Sequence, residues 1–326
     1  MTRDEFTERS LHPVVYDRIV ARRSQQPFTE VDVASERATA LAEARRTVSA
    51  SSAYPAHDLR VPGAHGAPDV PVRMYTPDDA EHTLMHVHGG GFVFGSIDGS
   101  DSLARGLAEA TRRTVVSVEY RLAPEAPYPA GLNDVETVYE WLERGESFAP
   151  GAVAVSGESA GACLTAALCL RRRDKRLSLP EAQLLYYPCF DPRLASDSWR
   201  LLGPHNPLSP ADMAWLWHQY LGSSAGADPA DPYAVPALAD DLSQLPPTLM
   251  LTAELDALRD EAEEFASRLA AEGVIVMSKR YPSTIHGFLN LEEPHDRADA
   301  LGLSAAFLLA AGSLYRSTRV RWSRVS

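Results

Sequence analysis

Cysteine, basic residues and long apolar runs are all in short supply in this chain. Three cysteines occur in 326 residues, Cys163, Cys169 and Cys189, and no two are spaced as CxxC. A sparse, odd set in a chain this long is neither a disulfide framework nor a metal-ligand pattern, so the three read as small buried hydrophobes. Lys and Arg number 31 against 44 Asp and Glu, a formal net charge of -13. Polyanions are held by Lys and Arg that displace counterions, so nucleic acid and anionic membrane are poor partners. The basic runs RRRDKR (171–176) and RSTRVRWSRVS (316–326) are local exceptions. The first reads as a helix end, where cations suit the dipole, and the second as a solvated tail. The longest apolar stretch, LSAAFLLAAGSL, is too short to span a bilayer, and MTRDEFTERS lacks the apolar segment of a signal peptide. The expectation is a cytoplasmic protein without membrane insertion.

What the chain does have is a 45% hydrophobic composition, enough for a sizeable α/β core. From about residue 67, short β-rich runs alternate with helical patterns, as in βα units feeding a mainly parallel sheet. The predicted strands are 70–77, 83–88, 114–120, 152–156, 182–188, 248–254 and 274–282. Several are nearly continuously apolar, which suits strands covered on both faces. Between them, SLARGLAEATRR, GLNDVETVYEWLER, SAGACLTAALCLRRR and LRDEAEEFASRLAAEG carry apolar residues at helical spacing, and the last ends on Gly273, a good residue to follow a helix. A final helix is expected over about 294–316.

Two regions depart from this rhythm. Residues 1 to about 50 look helical, and about 190–245 contain GPHNPLSPADMAWLWHQYLG between two strands. Long insertions are more often functional than idle, so both are expected to form a cap over the sheet, the alternative being simple edge packing. The domains are then an N-terminal helical cap segment over 1–50 and a main α/β domain over 51–326 with a cap insertion at about 190–245. Trp199, Trp215 and Trp217 in the insertion either narrow a pocket or fill the cap interior.

The sharpest chemical signal follows the strand AVAVS, where GESAG (157–161) matches G-x-S-x-G and runs directly into a helical pattern. A serine on a tight strand-to-helix turn needs small neighbours, because side chains at the glycine positions would meet adjacent backbone. Serine is a weak nucleophile, so Ser159 needs a base, and the base needs an orienting carboxylate. Four histidines follow: His205, His218, His286 and His295. Only His286, in YPSTIHGF, lies in a loop just after a predicted strand and beside a glycine. The strand TLMLTAE leads into Glu254, Asp256 and Asp260. Asp256 follows the strand by two residues and is the expected acid, whereas Asp260 and Glu261 read as first-turn acids favoured by the helix dipole. Upstream, HGGGFVFG (88–95) ends another strand on three glycines. Bare amides there would reach an oxyanion formed at Ser159, with the N–H of Ala160 as a further donor, and His88 would brace the loop. Such chemistry requires neither a metal nor an organic cofactor.

Five segments in order, HGGGFVFGS, YRLAPEAPYPAGLND, GESAG, LDALRDEAEEFASRLAAEGV and IHGFLN, resemble the hormone-sensitive-lipase-like branch of the α/β-hydrolase superfamily, the bacterial carboxylesterase group. The resemblance covers roughly residues 70–312. It implies an α/β-hydrolase fold, a mostly parallel central sheet with helices on both faces and a helical cap, acting on a small-molecule ester. It assigns Ser159 as nucleophile, Asp256 and His286 as its partners, and Gly90, Gly91 and Ala160 as oxyanion donors. YRLAPE resembles a structural loop near the site, and a homodimer is a fold-level expectation. The chain departs from the usual pattern at Glu158, where Asp or Thr is common, at Ala162, often Gly, and at LDALRDEA in place of DPLRDEG. These changes bear on substrate preference rather than on the reaction. The leading expectation is a serine carboxylic-ester hydrolase for small or medium acyl groups. The same residues also serve a biosynthetic deacetylase, cyclase or acyltransferase, and the fold also hosts non-catalytic small-molecule receptors.

Overall fold

The computed structural model describes residues 26–47, 55–145, 152–206, 208–222, 231–290 and 295–322. Eight strands make one sheet: β1 (Ala56–Val61), β2 (Val70–Tyr75), β3 (Thr83–Val87), β4 (Thr114–Val118), β5 (Val153–Glu158), β6 (Gln183–Tyr186), β7 (Thr248–Ala253) and β8 (Val276–Tyr281). Their spatial order is β1-β2-β4-β3-β5-β6-β7-β8. β2 is antiparallel to both of its neighbours, and every other pairing is parallel.

Successive side chains on a strand face opposite ways, and here both faces are covered. Leu84 and Met85 enter different apolar clusters, as do Val115 and Val116, Leu184 and Leu185, and Leu249 and Met250. Helices α2 (Asp101–Thr111) and α8 (His295–Trp322) cover one face through Leu103, Leu107, Phe307 and Leu308. On the other face α3 (Ala130–Arg144), α4 (Ala160–Asp174) and α7 (Arg259–Ala271) contribute Leu132, Leu164 and Phe265. This two-sided burial is why the predicted strands read as continuous apolar runs. The edge strands are the exceptions: β8 has three exposed residues, and β1, absent from those predictions, has its middle four exposed, so AHDLRV carries no apolar signal. Gly273 does follow α7, at φ +84°, with its N–H donating to the Ala270 carbonyl.

The cysteines are free and buried. RRRDKR does end α4, yet Arg171 and Arg172 are buried rather than displayed. Arg171 pairs with Glu136 at 2.7 Å, and Arg172 pairs with Glu143 at 2.7 Å while lying over the Tyr139 ring. Facing carboxylates on α3 therefore hold these cations in addition to the helix dipole. Of the basic C-terminal run, 316–322 continue α8 and 323–326 lie outside the described residues. No helix among the described residues is long and apolar enough to cross a membrane.

Above the carboxyl ends of the parallel strands lie α1 (Val33–Thr47) and the pair α5 (Asp197–Leu202) and α6 (Pro210–Leu221). Phe28 joins them: its N–H donates to Asp212 Oδ1 at 2.7 Å, and its ring packs on Phe94 and Trp215. Arg37 on α1 donates to the carbonyls of Val93 and Ala123 and pairs with Glu125. Residues 1–25 of the expected cap segment lie outside the described residues.

Candidate active site

Ser159 sits between β5 and α4 at φ 51° and ψ -121°, a conformation an L-residue adopts only when its surroundings force it. The surroundings do so through contact distances. A Cβ on Gly157 would lie 2.3 Å from the Gly161 carbonyl oxygen, and one on Gly161 would lie 2.1 Å from that of Val87. Strand, turn and helix can pack this closely only with hydrogen at both positions, which lifts the Ser159 side chain above the sheet edge.

The chain brings His286 and Asp256 to the same point from two other loops. His286 Nε2 is 2.9 Å from Ser159 Oγ, and His286 Nδ1 is 2.8 Å from Asp256 Oδ2. Asp256 is buried, and its other oxygen accepts the Leu258 N–H at 3.0 Å. The neighbouring acids are occupied elsewhere: Glu254 accepts from the Ser283 N–H, and Asp260 accepts from the Ser198 N–H. With Asp256 accepting from Nδ1–H, Nε2 is left bare toward the serine hydroxyl, the tautomer that proton abstraction requires. Burial disfavours the imidazolium, but the charge and hydrogen bond of Asp256, with the charge of Glu158 added, outweigh it and hold the His286 pKa above that of an ordinary histidine.

The glycine loop lies against the serine. A Cβ on Gly89 would be 3.2 Å from Ser159 Cβ. Gly90 and Gly91 take positive φ, 116° and 60°, and a Cβ on Gly90 would come within 2.2 Å of the Phe94 carbonyl oxygen. The hydrogen bonds of this turn run from the N–H groups of Val93 and Phe94 to the Gly90 carbonyl. Ala160 is the first residue of α4, where an N–H has no intrahelical acceptor. His88 stacks on Tyr120 with ring centroids 4.4 Å apart, and the Tyr120 hydroxyl donates to the His88 carbonyl. The YRLAPE segment thus supports the glycine loop from behind, with the Ala123 N–H donating to the Phe92 carbonyl as well.

A cavity of about 470 Å³ opens over Ser159. Phe28, Phe94, Leu208, Met213 and Leu216 form its apolar side. None of the tryptophans Trp199, Trp215 and Trp217 lines it. Trp199 donates its indole N–H to Glu261, Trp217 packs on Phe92 and Tyr220, and Trp215 backs Phe28 and Phe94. The opposite side contains Ser100, Glu158 and Asn290, a polar group that sequence reasoning did not assemble. Glu158 stood out only as a departure from a pattern, and Asn290 only as the last residue of a motif. Among the described residues no cluster of three or more His, Cys, Asp or Glu is arranged to hold a metal ion.

Comparison with known proteins agrees with this architecture. A family profile described as alpha/beta hydrolase fold matches residues 84–290. Carboxylic ester hydrolase LipN of Mycobacterium tuberculosis is 40% identical over 244 residues, which are 72% of this chain and 64% of LipN. Carboxylesterase NlhH of the same organism is 37% identical over 245 residues, 71% of this chain and 75% of NlhH. Among solved structures, an ester-hydrolase from the metagenome of Lake Arreo, complexed with a bipyridine phosphonate derivative, superposes with a TM-score of 0.81 at 31% identity, covering 94% of this chain and 99% of that one. The chain belongs to the α/β-hydrolase-fold family, in its hormone-sensitive-lipase-like carboxylesterase branch, as its five ordered segments implied.

Proposed function

We propose that this protein hydrolyses carboxylic esters through an acyl-enzyme on Ser159. The observation that carries the reading is the single imidazole of His286 within hydrogen-bond distance of both Ser159 Oγ and Asp256 Oδ2. In this mechanism His286 takes the hydroxyl proton as Ser159 Oγ attacks the ester carbonyl, and the amides of Gly90, Gly91 and Ala160 receive the oxyanion. The imidazolium, stabilised by Asp256, then gives its proton to the departing alcohol. Water repeats the cycle, with His286 as base, to release the acid and free Ser159.

Residues 26–47 and 196–222 act in this reading as the cap, and the apolar lining they contribute favours small or medium acyl groups. Names of the relatives support the same reaction class. A homodimer belongs to the proposal too, supported by the exposure of Ile275 and Met277 at the outer edge of the sheet. A cytoplasmic location is supported by three unpaired, buried thiols.

The test is a panel of p-nitrophenyl esters of graded acyl length, paired with a fluorophosphonate probe. Wild type should hydrolyse acetate or butyrate esters and take the label, while Ser159→Ala should do neither, with kcat reduced on the order of 10⁴-fold or more. Absence of labelling in the wild type would point to a receptor. Labelling without turnover of any ester would point to an acceptor other than water, and either result overturns the hydrolase reading.

A further inference from the structure

Glu158 is the one buried acid at the site that the reaction as written leaves idle. It is the last residue of β5, beside Ser159, and its side chain borders the cavity. Three donors converge on it. Tyr187 Oη donates to Oε2 at 2.9 Å, Asn290 Nδ2 donates to Oε2 at 2.6 Å, and Ser100 Oγ donates to Oε1 at 3.2 Å. Asn290 Nδ2 can only donate, so Oε2 must accept.

The direction of the hydrogen bonds can be followed one step further. Ser100 has a single hydroxyl hydrogen, and with Glu158 receiving it, Ser100 Oγ accepts from His86 Nε2–H at 3.1 Å. His86 Nδ1 is then bare and lies 3.0 Å from the Ser156 hydroxyl, whose single hydrogen also reaches the Met85 carbonyl at 3.3 Å. Burial holds His86 neutral, its pKa lowered to about 4, so it serves as a dipole rather than a cation. From His86 onward the hydrogens point toward Glu158, which suits a carboxylate that has no cationic partner.

Two of these donors, Tyr187 and Asn290, also shape the surroundings of His286. The Tyr187 ring packs edge-on against the imidazole, with centroids 5.1 Å apart, and Asn290 closes the turn that directly follows His286. We propose that Glu158 is a positioning residue of the active site, a second fixed negative charge that stabilises the His286 imidazolium while locking Tyr187 and Asn290 around it. The inference rests on the hydrolase reading above. It differs from the role of Asp256, which touches the imidazole directly. Glu158 acts across space and through its two neighbours.

The charged and titratable groups facing this arrangement are few. Asp256 and Glu158 face His286, and Tyr120, Tyr186, Tyr187 and His86 surround Glu158. Loss of the charge at 158 therefore leaves Asp256 alone to support the imidazolium. His286 must be neutral to accept the serine proton, so lowering its pKa moves the acid limb of kcat/KM to lower pH.

The experiment compares pH profiles of kcat/KM, and of fluorophosphonate labelling rate, for wild type, Glu158→Gln and Glu158→Asp. Gln keeps the volume and an acceptor oxygen for Tyr187 and Asn290 but removes the charge. Its acid limb should move down by about half a pH unit or more, with plateau kcat falling about tenfold. Asp keeps the charge, and its limb should stay within about 0.2 unit of wild type. Glu158→Thr, smaller and neutral, replaces Gln should that variant not fold, with the same expected shift. An active wild type with superimposable acid limbs in the neutral variants would overturn the role of Glu158 and leave the hydrolase reading standing. A wild type that neither turns over nor takes the label would overturn the hydrolase reading itself.

Discussion

The floor and the roof of the cavity are held in different ways. The floor, made of the serine turn and the glycine loop, is fixed by backbone against backbone: Gly157, Gly161, Gly90 and Gly95 each have a carbonyl oxygen within 2.1–2.3 Å of where a Cβ would be. The roof, from Phe28, Leu208, Met213 and Leu216, is fixed by apolar side chains packed on one another. Backbone contacts at that distance admit one residue type, whereas an apolar contact accepts any side chain of about the right volume. The floor should therefore fail abruptly on substitution and the roof should change gradually.

The largest effect is expected at Gly161. An alanine there must push back the carbonyls of Val87 and His88, and with them the glycine loop that faces Ser159. Kcat for Gly161→Ala should fall by on the order of 100-fold or more, measured on the best short ester. A variant with wild-type kcat would show that the floor yields as readily as the roof.

Met213 supplies the matching test above. It is buried and lines the apolar side of the cavity. Met213→Ala should shift preference among the p-nitrophenyl esters toward longer acyl chains by about tenfold in relative kcat/KM, with kcat on the shortest ester nearly unchanged. An equal loss on every ester would mean that roof packing sets the floor geometry, and the contrast would collapse.

The smallest effect is a displacement along the pH axis. Because His286 would work neutral in the proposed reaction and its pKa is raised by Asp256 and Glu158 against the pull of burial, the acid limb of wild-type kcat/KM should have its midpoint above the ordinary histidine value of about 6.5. A midpoint at or below that value would show that burial outweighs the two carboxylates.

The same contrast explains what could be read in advance. Glycine is demanded where the chain crowds itself, so GESAG and HGGG carried their geometry in their letters, as did the doubly apolar strands of the sheet interior. Asp256 and His286 were legible from chain order and from their position just past strand ends. β1 was not, because an exposed edge strand needs no apolar alternation. Nor was the cavity lining: the tryptophans draw the eye in the insertion, yet Phe28, Leu208, Met213 and Leu216 reach the cavity. The donors converging on Glu158 were equally hidden, since they join His86, Ser100, Tyr187 and Asn290 from four different stretches of chain. No local spacing rule connects residues that meet only through the sheet.

Arg37 makes the first helix something other than a detachable awning. Its guanidinium grips the Val93 and Ala123 carbonyls, one in the glycine loop and one in the segment behind it, while Glu125 neutralises its charge. A displacement of that helix would therefore tug on the peptide that, in the proposed reaction, receives the developing negative oxygen. Doorway and reaction chamber are thereby geared together, and trimming the amino-terminal arm should blunt the chemistry as well as widen the entrance.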